Sequence, residues 1–245
     1  MGNTIIELKD VSFSTQEVSV LKTVSYAYEE GKTTALIGPS GSGKSMMLKL
    51  SAGLLLPSQG TVLYRGQDIA NMNRQQNLAF RKESAVVFQD SALWANQSIF
   101  QILELPLKIH FPDYSVLDRQ KRISEVLVEV GYKRGTDIRP AALSMGEQKL
   151  IAFARALLCY PSVLFLDEWT ESLDDDAARR LVTIVRRMQE KNNTILFVSH
   201  DLRIIKNIAD YVLLIINGKL SLSLTKEQIM EDDAIARIIE KEIAS

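Results

Sequence analysis

The sequence predicts an α/β protein built on a mostly parallel sheet, with an antiparallel β part at the N-terminus and an α-helical subdomain inserted in the middle. Three observations point there. Two short, wholly apolar runs, VLFL (residues 163–166) and ILFV (195–198), have the character of strands buried on both faces, and a helical pattern follows each. A third run, TTALI (33–37), leads straight into a glycine-rich loop and then a helix. Between residues 90 and 156 the texture is mostly helical.

The elements follow in order. Residues 5–13 read as β, with Ile6, Leu8, Val11 and Phe13 apolar among polar neighbours. TTALI is the next strand. The helix after the loop starts at Ser45, runs to about Ala52 and ends at Gly53, a good helix stop. Residues 59–65 are β-like, 71–82 polar and helical, and 84–88 β-like again. In the middle region Ile123, Val126, Leu127 and Val130 form one apolar helix face. Over 174–188 a helix carries acids in its first turn, where the dipole favours them, and a stripe of Leu181, Val182, Val185 and Met188. Another helix begins near Asp201. Residues 211–216 and 219–224 flank Asn217-Gly218, a hairpin signal. The expected division is a core of 1–89 and 157–225, a helical subdomain of 90–156, and a charged, helical tail of 226–245, all within one domain.

Composition narrows the function. The chain has 245 residues, 46% hydrophobic and 24% charged, enough to bury a real core. With 29 basic and 30 acidic residues the net charge is -1, so no global basic excess points to nucleic acid. Cys159 is the single cysteine, which excludes an intrachain disulfide, and it reads as a small buried hydrophobe. The stretch MGNTIIELKD lacks the basic and apolar regions of a secretion signal. Apolar runs such as 212–216 are far shorter than the ~20 residues of a membrane span. A role at a membrane therefore needs a partner to hold the chain there.

The strongest motif is GPSGSGKS: Gly38, Pro39, Ser40, Gly41, Ser42, Gly43, Lys44 and Ser45, with Met46 next on the helix. It fits G-x-x-x-x-G-K-[ST] with a strand before it and a helix after, the context of a P-loop NTPase core. Glycines let backbone N–H groups wrap phosphate oxygens, and the helix N-terminus adds a favourable dipole. Lys44 supplies a point charge to the β- and γ-phosphates, and the Ser45 hydroxyl suits Mg²⁺. Asp167, at the end of VLFLDE, is placed to hold Mg²⁺ beside such a loop, and Glu168 to polarise an attacking water. His200 stands at the C-terminal end of ILFVSH, the sheet edge where ligands bind. Gln89 ends AVVFQ, where it could touch Mg²⁺ or the water. In LSMGEQ, Ser144 and Glu147 form an S-x-x-E capping box that starts a helix at about Ser144. That free helix end is also a second anion site, which suggests a nucleotide shared between two subunits.

The ordered set GPSGSGKS, VVFQ, LSMGEQ, VLFLDE, SLD (172–174) and VSH resembles the ATPase subunit of ABC transporters over essentially the entire chain. The resemblance implies a head-to-tail homodimer with two ATP at the interface, each between one chain's P-loop and the partner's Ser144, Gly146 and Glu147. It implies catalytic roles for Glu168, His200 and Gln89, a D-loop role for Asp174, and Mg²⁺ held by Ser45, Gln89 and Asp167. It further implies an integral membrane permease docking near residues 89–107, and a place on the cytoplasmic face of the inner membrane held by that permease. Four positions depart from the pattern. Met145 stands where glycine is usual, Trp169 for a proline, Thr15 where an adenine-stacking aromatic is expected, and Glu171 for a small polar residue. Phe13 is the alternative aromatic for the base. All charged and catalytic positions are retained, so the ATPase reads as competent. The stretch FQDSALW followed by SIFQILELPL is similar to ATPases serving MCE-type phospholipid transporters, whose complexes include a lipid-binding MCE protein, although Ser91 replaces a usual glycine. The pattern over 232–239 is compatible with them. Amino-acid importers and lipoprotein-release ATPases share parts of the stretch, and a soluble, non-transport ABC ATPase is a further alternative.

Overall fold

Strands and helices share the described part of the molecule, residues 3–15 and 18–231 of a computed structural model. The first half runs β1 (Thr4–Thr15), β2 (Val18–Glu29), β3 (Thr33–Ile37), α1 (Lys44–Ser51), β4 (Gln59–Tyr64), β5 (Gln67–Asp68), α2 (Arg74–Glu83) and β6 (Ser84–Val87). Then come α3 (Ile99–His110), α4 (Val116–Val130), α5 (Met145–Leu157), β7 (Val163–Asp167), α6 (Asp175–Glu190), β8 (Thr194–Val198), α7 (Leu202–Ile208), β9 (Tyr211–Ile216), β10 (Lys219–Thr225) and α8 (Lys226–Glu231). Residues 232–245, and with them the 232–239 pattern, lie outside the described residues.

The apolar runs become the centre of a six-stranded sheet of order β10-β9-β3-β8-β7-β6, parallel except for the β9–β10 hairpin. β3, β7 and β8 are buried at every position, because both faces of the sheet are covered. The two-residue period sorts their side chains. Val163 and Phe165 face α1 and the N-terminal sheet, while Leu164 and Leu166 join the helices of the other side. A second, antiparallel sheet has the order β2-β1-β4-β5.

β2 has no counterpart in the sequence reading. Its buried residues, Leu21, Val24 and Tyr28, fall three and four apart. Register shifts interrupt its pairing with β1, and Asp10 and Thr23 sit at positive φ (50° and 52°). These bulges break the alternation on which strand recognition depends. In the middle region α3, α4 and α5 each open on a capping box: Ser98 with Gln101, Ser115 with Asp118, Ser144 with Glu147. The expected face of α4 is buried at all four positions. The polar stretch 71–82 starts later than read, since Asn73 caps α2. Asn217 and Gly218 both have positive φ (50° and 77°), as the tight β9–β10 turn requires. Among the described residues no helix is long and apolar enough to cross a membrane.

One consequence of the parallel order matters most. β3, β8, β7 and β6 are neighbours and end on one edge. The residues that follow them, Gly38, His200, Glu168 and Gln89, are therefore delivered side by side.

Candidate nucleotide site

The loop 38–45 is built from beneath by the β9–β10 turn and by β2. Gly218 N donates to Ser42 O at 3.1 Å, and Lys22 N donates to Gly218 O at 2.8 Å. Gly38 has φ +142°, and a Cβ there would stand 2.1 Å from Ile215 O. Gly43 has φ +104° and lies against Leu21 and Val20. Side chains are excluded at both positions by backbone conformation and by space. Phe13 sits across the β1–β2 ladder from Leu21, half-buried, one strand away from the loop.

Lys44 Nζ donates to its own loop carbonyls, Gly38 O and Pro39 O, both at 2.8 Å. Burial holds its pKa below the ordinary value, against the pull of Glu168 and Asp167. Ser42 Oγ is buried with no hydrogen-bond partner among the described residues, an orphan polar atom inside the glycine-rich loop. Ser45 Oγ donates to Asp167 Oδ1 at 2.8 Å, which brings the hydroxyl on α1 to the carboxylate ending β7. These are hard oxygen donors of the kind Mg²⁺ takes, and the set fits that ion. Burial raises the Asp167 pKa, while the Ser45 bond and Lys49 oppose the shift.

Glu168 stands at φ +43°, its N–H donating to Val198 O at 3.2 Å. Its carboxyl is pushed up to about 7, first by burial, then by Asp167 and Glu171. His200 Nε2 lies 3.1 Å from Glu168 Oε1, although that oxygen makes no well-aligned hydrogen bond. Gln89 Nε2 donates to Glu171 Oε2 at 3.2 Å. Two cavities flank these groups. One of about 690 Å³ is lined by Ser45, Gln89, Lys149, Asp167 and Glu171, and another of about 720 Å³ by Gln89, Glu168, Glu171 and His200.

Three cations escaped the sequence reading. Lys149 on α5, almost fully buried, donates to Phe88 O at 3.3 Å and to Gln89 O. Arg155, two turns further, donates to Ala92 O at 2.7 Å and Ser91 O at 3.1 Å. Together they hold the backbone that follows β6. Arg134 pairs with Glu147 at 3.2 Å. The available signal was a lysine and an arginine standing alone in the run KLIAFARAL, whose helix is buried almost all round.

The family model described as ABC transporter matches residues 21–171. The chain belongs to the ABC transporter family. It is 38% identical over 204 residues to the uncharacterized ABC transporter ATP-binding protein YejF of Escherichia coli, covering 82% of this chain but only 38% of YejF's length. It is 36% identical to the nickel import ATP-binding protein NikE of Shigella flexneri (84% of this chain, 78% of NikE). It is 32% identical to the intermembrane phospholipid transport system ATP-binding protein MlaF of Haemophilus influenzae (94% of this chain, 88% of MlaF). A solved dimeric ATP-binding cassette in a post-hydrolysis state bound to ADP and Pi superposes with TM-score 0.85 at 26% identity, covering 91% of this chain and 99% of that one. As an ABC cassette the chain binds ATP and is an ATPase.

Ser144, Gly146, Glu147 and Asp174 do not line the two cavities beside Ser45 and Glu168. Ser144 Oγ accepts from Glu147 N at 3.2 Å, and Glu147 Oε2 accepts from Ser144 N at 2.8 Å, the capping box in full. Asp174 caps α6 through Ala177 N at 2.8 Å. Glu147 and Asp174 face a separate groove of about 900 Å³ beside α4 and α6. A Cβ on Gly146 would stand 2.9 Å from Ser172 O, so α5 begins hard against the segment before Asp174. Met145 is 71% exposed and overhangs the 690 Å³ cavity. Trp169, in place of the usual proline, is fully buried and stacks on Phe153 of α5 at 5.7 Å between ring centroids. Thr15 is exposed at the end of β1.

Proposed function

We propose that this chain is the ATP-hydrolysing subunit of a transporter, closing head to tail on a second copy to drive a separate membrane permease. The observation that carries the reading is the convergence of Lys44, the Ser45–Asp167 pair and the Glu168–His200 contact on one sheet edge. The ATP phosphates lie along 38–45, with backbone N–H groups and Lys44 facing their oxygens. Ser45, Asp167 and Gln89 would hold Mg²⁺, which would supply positive charge to offset that of the phosphates. Glu168, with its carboxyl near pH 7, accepts a proton from the attacking water, and His200 orients that water or donates to the γ-phosphate. Phe13 packs against the adenine. Ser144, Gly146 and Glu147 of the second copy cover the γ-phosphate with the positive end of α5, and Asp174 lies at the same seam. Residues 90–156 act as a helical subdomain on which the permease docks near 89–107, where Trp94 and Leu105 are exposed. The permease holds the chain at the cytoplasmic face of the inner membrane.

For the cargo we propose phospholipid, in company with an MCE-type lipid-binding protein. The support is the FQDSALW stretch and the MlaF likeness, which spans nearly the full length of both chains. Nickel import is the second reading, favoured by the somewhat higher identity to NikE over a shorter share of this chain.

Glu168→Gln tests the enzyme. ATP binding persists and turnover falls by about 100-fold or more. A wild-type rate no higher than that of the variant ends the proposed mechanism. Purifying the tagged chain from detergent-solubilised membranes tests the cargo. A permease, an MCE-type chain and bound phospholipid are expected, and a lipid-free complex that binds Ni²⁺ overturns the lipid reading.

A further inference from the structure

We propose that Glu171 is a positioning residue for Gln89, fixing which end of its side-chain amide is turned toward the cation side of the nucleotide site. The inference rests on the reading of Gln89 as a Mg²⁺ ligand. Gln89 and Glu171 line both cavities, so the pair forms the partition between the Ser45–Asp167 side and the Glu168–His200 side. Gln89 Nε2 and Glu171 Oε2 are 3.2 Å apart across that partition.

An amide has a donor end and an acceptor end, exchanged by a half-turn about its last torsion. Only the oxygen can bind a hard cation. An ionised carboxylate accepts and never donates, so Glu171 takes the NH₂ group and leaves Oε1 for the cation. The Gln89 backbone is already held from the other side, by Lys149 on its carbonyl and by Arg155 on the next turn. What remains free is the side-chain torsion on which Glu171 acts. Glu171 itself stands on a firm base. Its N–H donates to Glu168 O at 3.3 Å, and the buried Trp169 anchors the turn between them. Both side chains are solvent-accessible, so the pair adds little to stability, and its effect is on orientation.

The test is the affinity of the full chain for Mn²⁺ in the presence of a non-hydrolysable ATP analogue, read by electron paramagnetic resonance. Circular dichroism melting checks that each variant is folded. Glu171→Ala weakens Mn²⁺ binding by about tenfold, the lower end of what loss of a ligand's outer partner costs. Glu171→Gln, whose oxygen can still accept from Gln89, stays within about threefold of wild type. Glu171→Ala combined with Gln89→Ala binds no more weakly than Gln89→Ala alone, because Glu171 acts through Gln89. If Glu171→Gln is as weak as Glu171→Ala, the effect is through-space charge and the inference is wrong. Multiplying effects in the double variant overturn it equally. If Gln89→Ala weakens Mn²⁺ binding and Glu171→Ala does not, this inference falls and the metal role of Gln89 stands. If Gln89→Ala changes nothing, the metal role itself falls.

Discussion

Trp169 offers a stability prediction in which two terms of opposite sign can be separated. The indole is fully buried against Phe153, yet Nε1 has no hydrogen-bond partner among the described residues. Trp169→Ala removes the whole ring and costs about 3–5 kcal/mol, as large-to-small core changes do. Trp169→Phe keeps the stacked ring and removes only the outer part of the indole. It leaves roughly 40 Å³ unfilled, worth about 1 kcal/mol at ~24 cal/mol per Å³, besides a similar loss of transfer energy. Against that, it deletes a buried, unpaired N–H whose desolvation costs about 1–3 kcal/mol. The net change is within about 1 kcal/mol of zero. A chain of this size shifts by roughly 2–4 °C per kcal/mol, so the melting point falls by about 6–20 °C for alanine and less than about 4 °C for phenylalanine. Circular dichroism is the appropriate assay, since either substitution removes a fluorophore. A Trp169→Phe variant as unstable as Trp169→Ala would mean that the indole N–H serves a partner, and the cancellation of the two terms would be refuted.

Gly146→Ala places a Cβ 2.9 Å from Ser172 O and must push α5 from the segment before Asp174 by a few tenths of an ångström. About 1 kcal/mol of stability is lost, while ATP-driven dimerisation in a Glu168→Gln background, followed by size exclusion, drops sharply; unchanged dimerisation would show that this approach is not needed. Lys149→Met strands the carbonyls of Phe88 and Gln89, costs about 2–4 kcal/mol in urea unfolding, and speeds hydrogen exchange over 88–92; unaltered exchange would mean that α5 does not hold this loop. Cys159 is only half-buried, not buried as read from the sequence, yet desolvation still pushes its thiol up to about 11. A raised thiol pKa favours the neutral form, so at pH 8 about one molecule in a thousand is thiolate in the folded chain, against roughly a quarter for an ordinary thiol. Disulfide-exchange labelling at pH 8 is therefore slow in the native protein and fast in urea, and equal rates would contradict the burial.

The parts of the site legible in the sequence are those whose chemistry is local. Asp167 ends a short apolar strand, Glu168, His200 and Gln89 come just after one, and Lys44 lies past the loop that follows β3; a parallel sheet returns all such ends to one edge. The α5 cap was equally plain, because Ser144 and Glu147 are three residues apart. What stayed hidden was carried by pairing between distant segments. Gln89 and Glu171 are 82 residues apart and meet only because β6 lies beside β7. Lys149 and Arg155 drew no reading from the sequence, since nothing in their own neighbourhood shows that a loop from β6 lies over them. β2 was lost to its bulges, and with it the contacts of Val20 and Leu21 on Gly43.

The two bonds from Lys44 to Gly38 O and Pro39 O bear on phosphate binding. An ammonium has three N–H donors, so two are already used inside the loop when a phosphate arrives. The gain on binding is thus a difference between two sets of bonds. The loop's own carbonyls therefore compete with an incoming oxygen for Lys44, and they hold the ammonium in place before any ligand arrives.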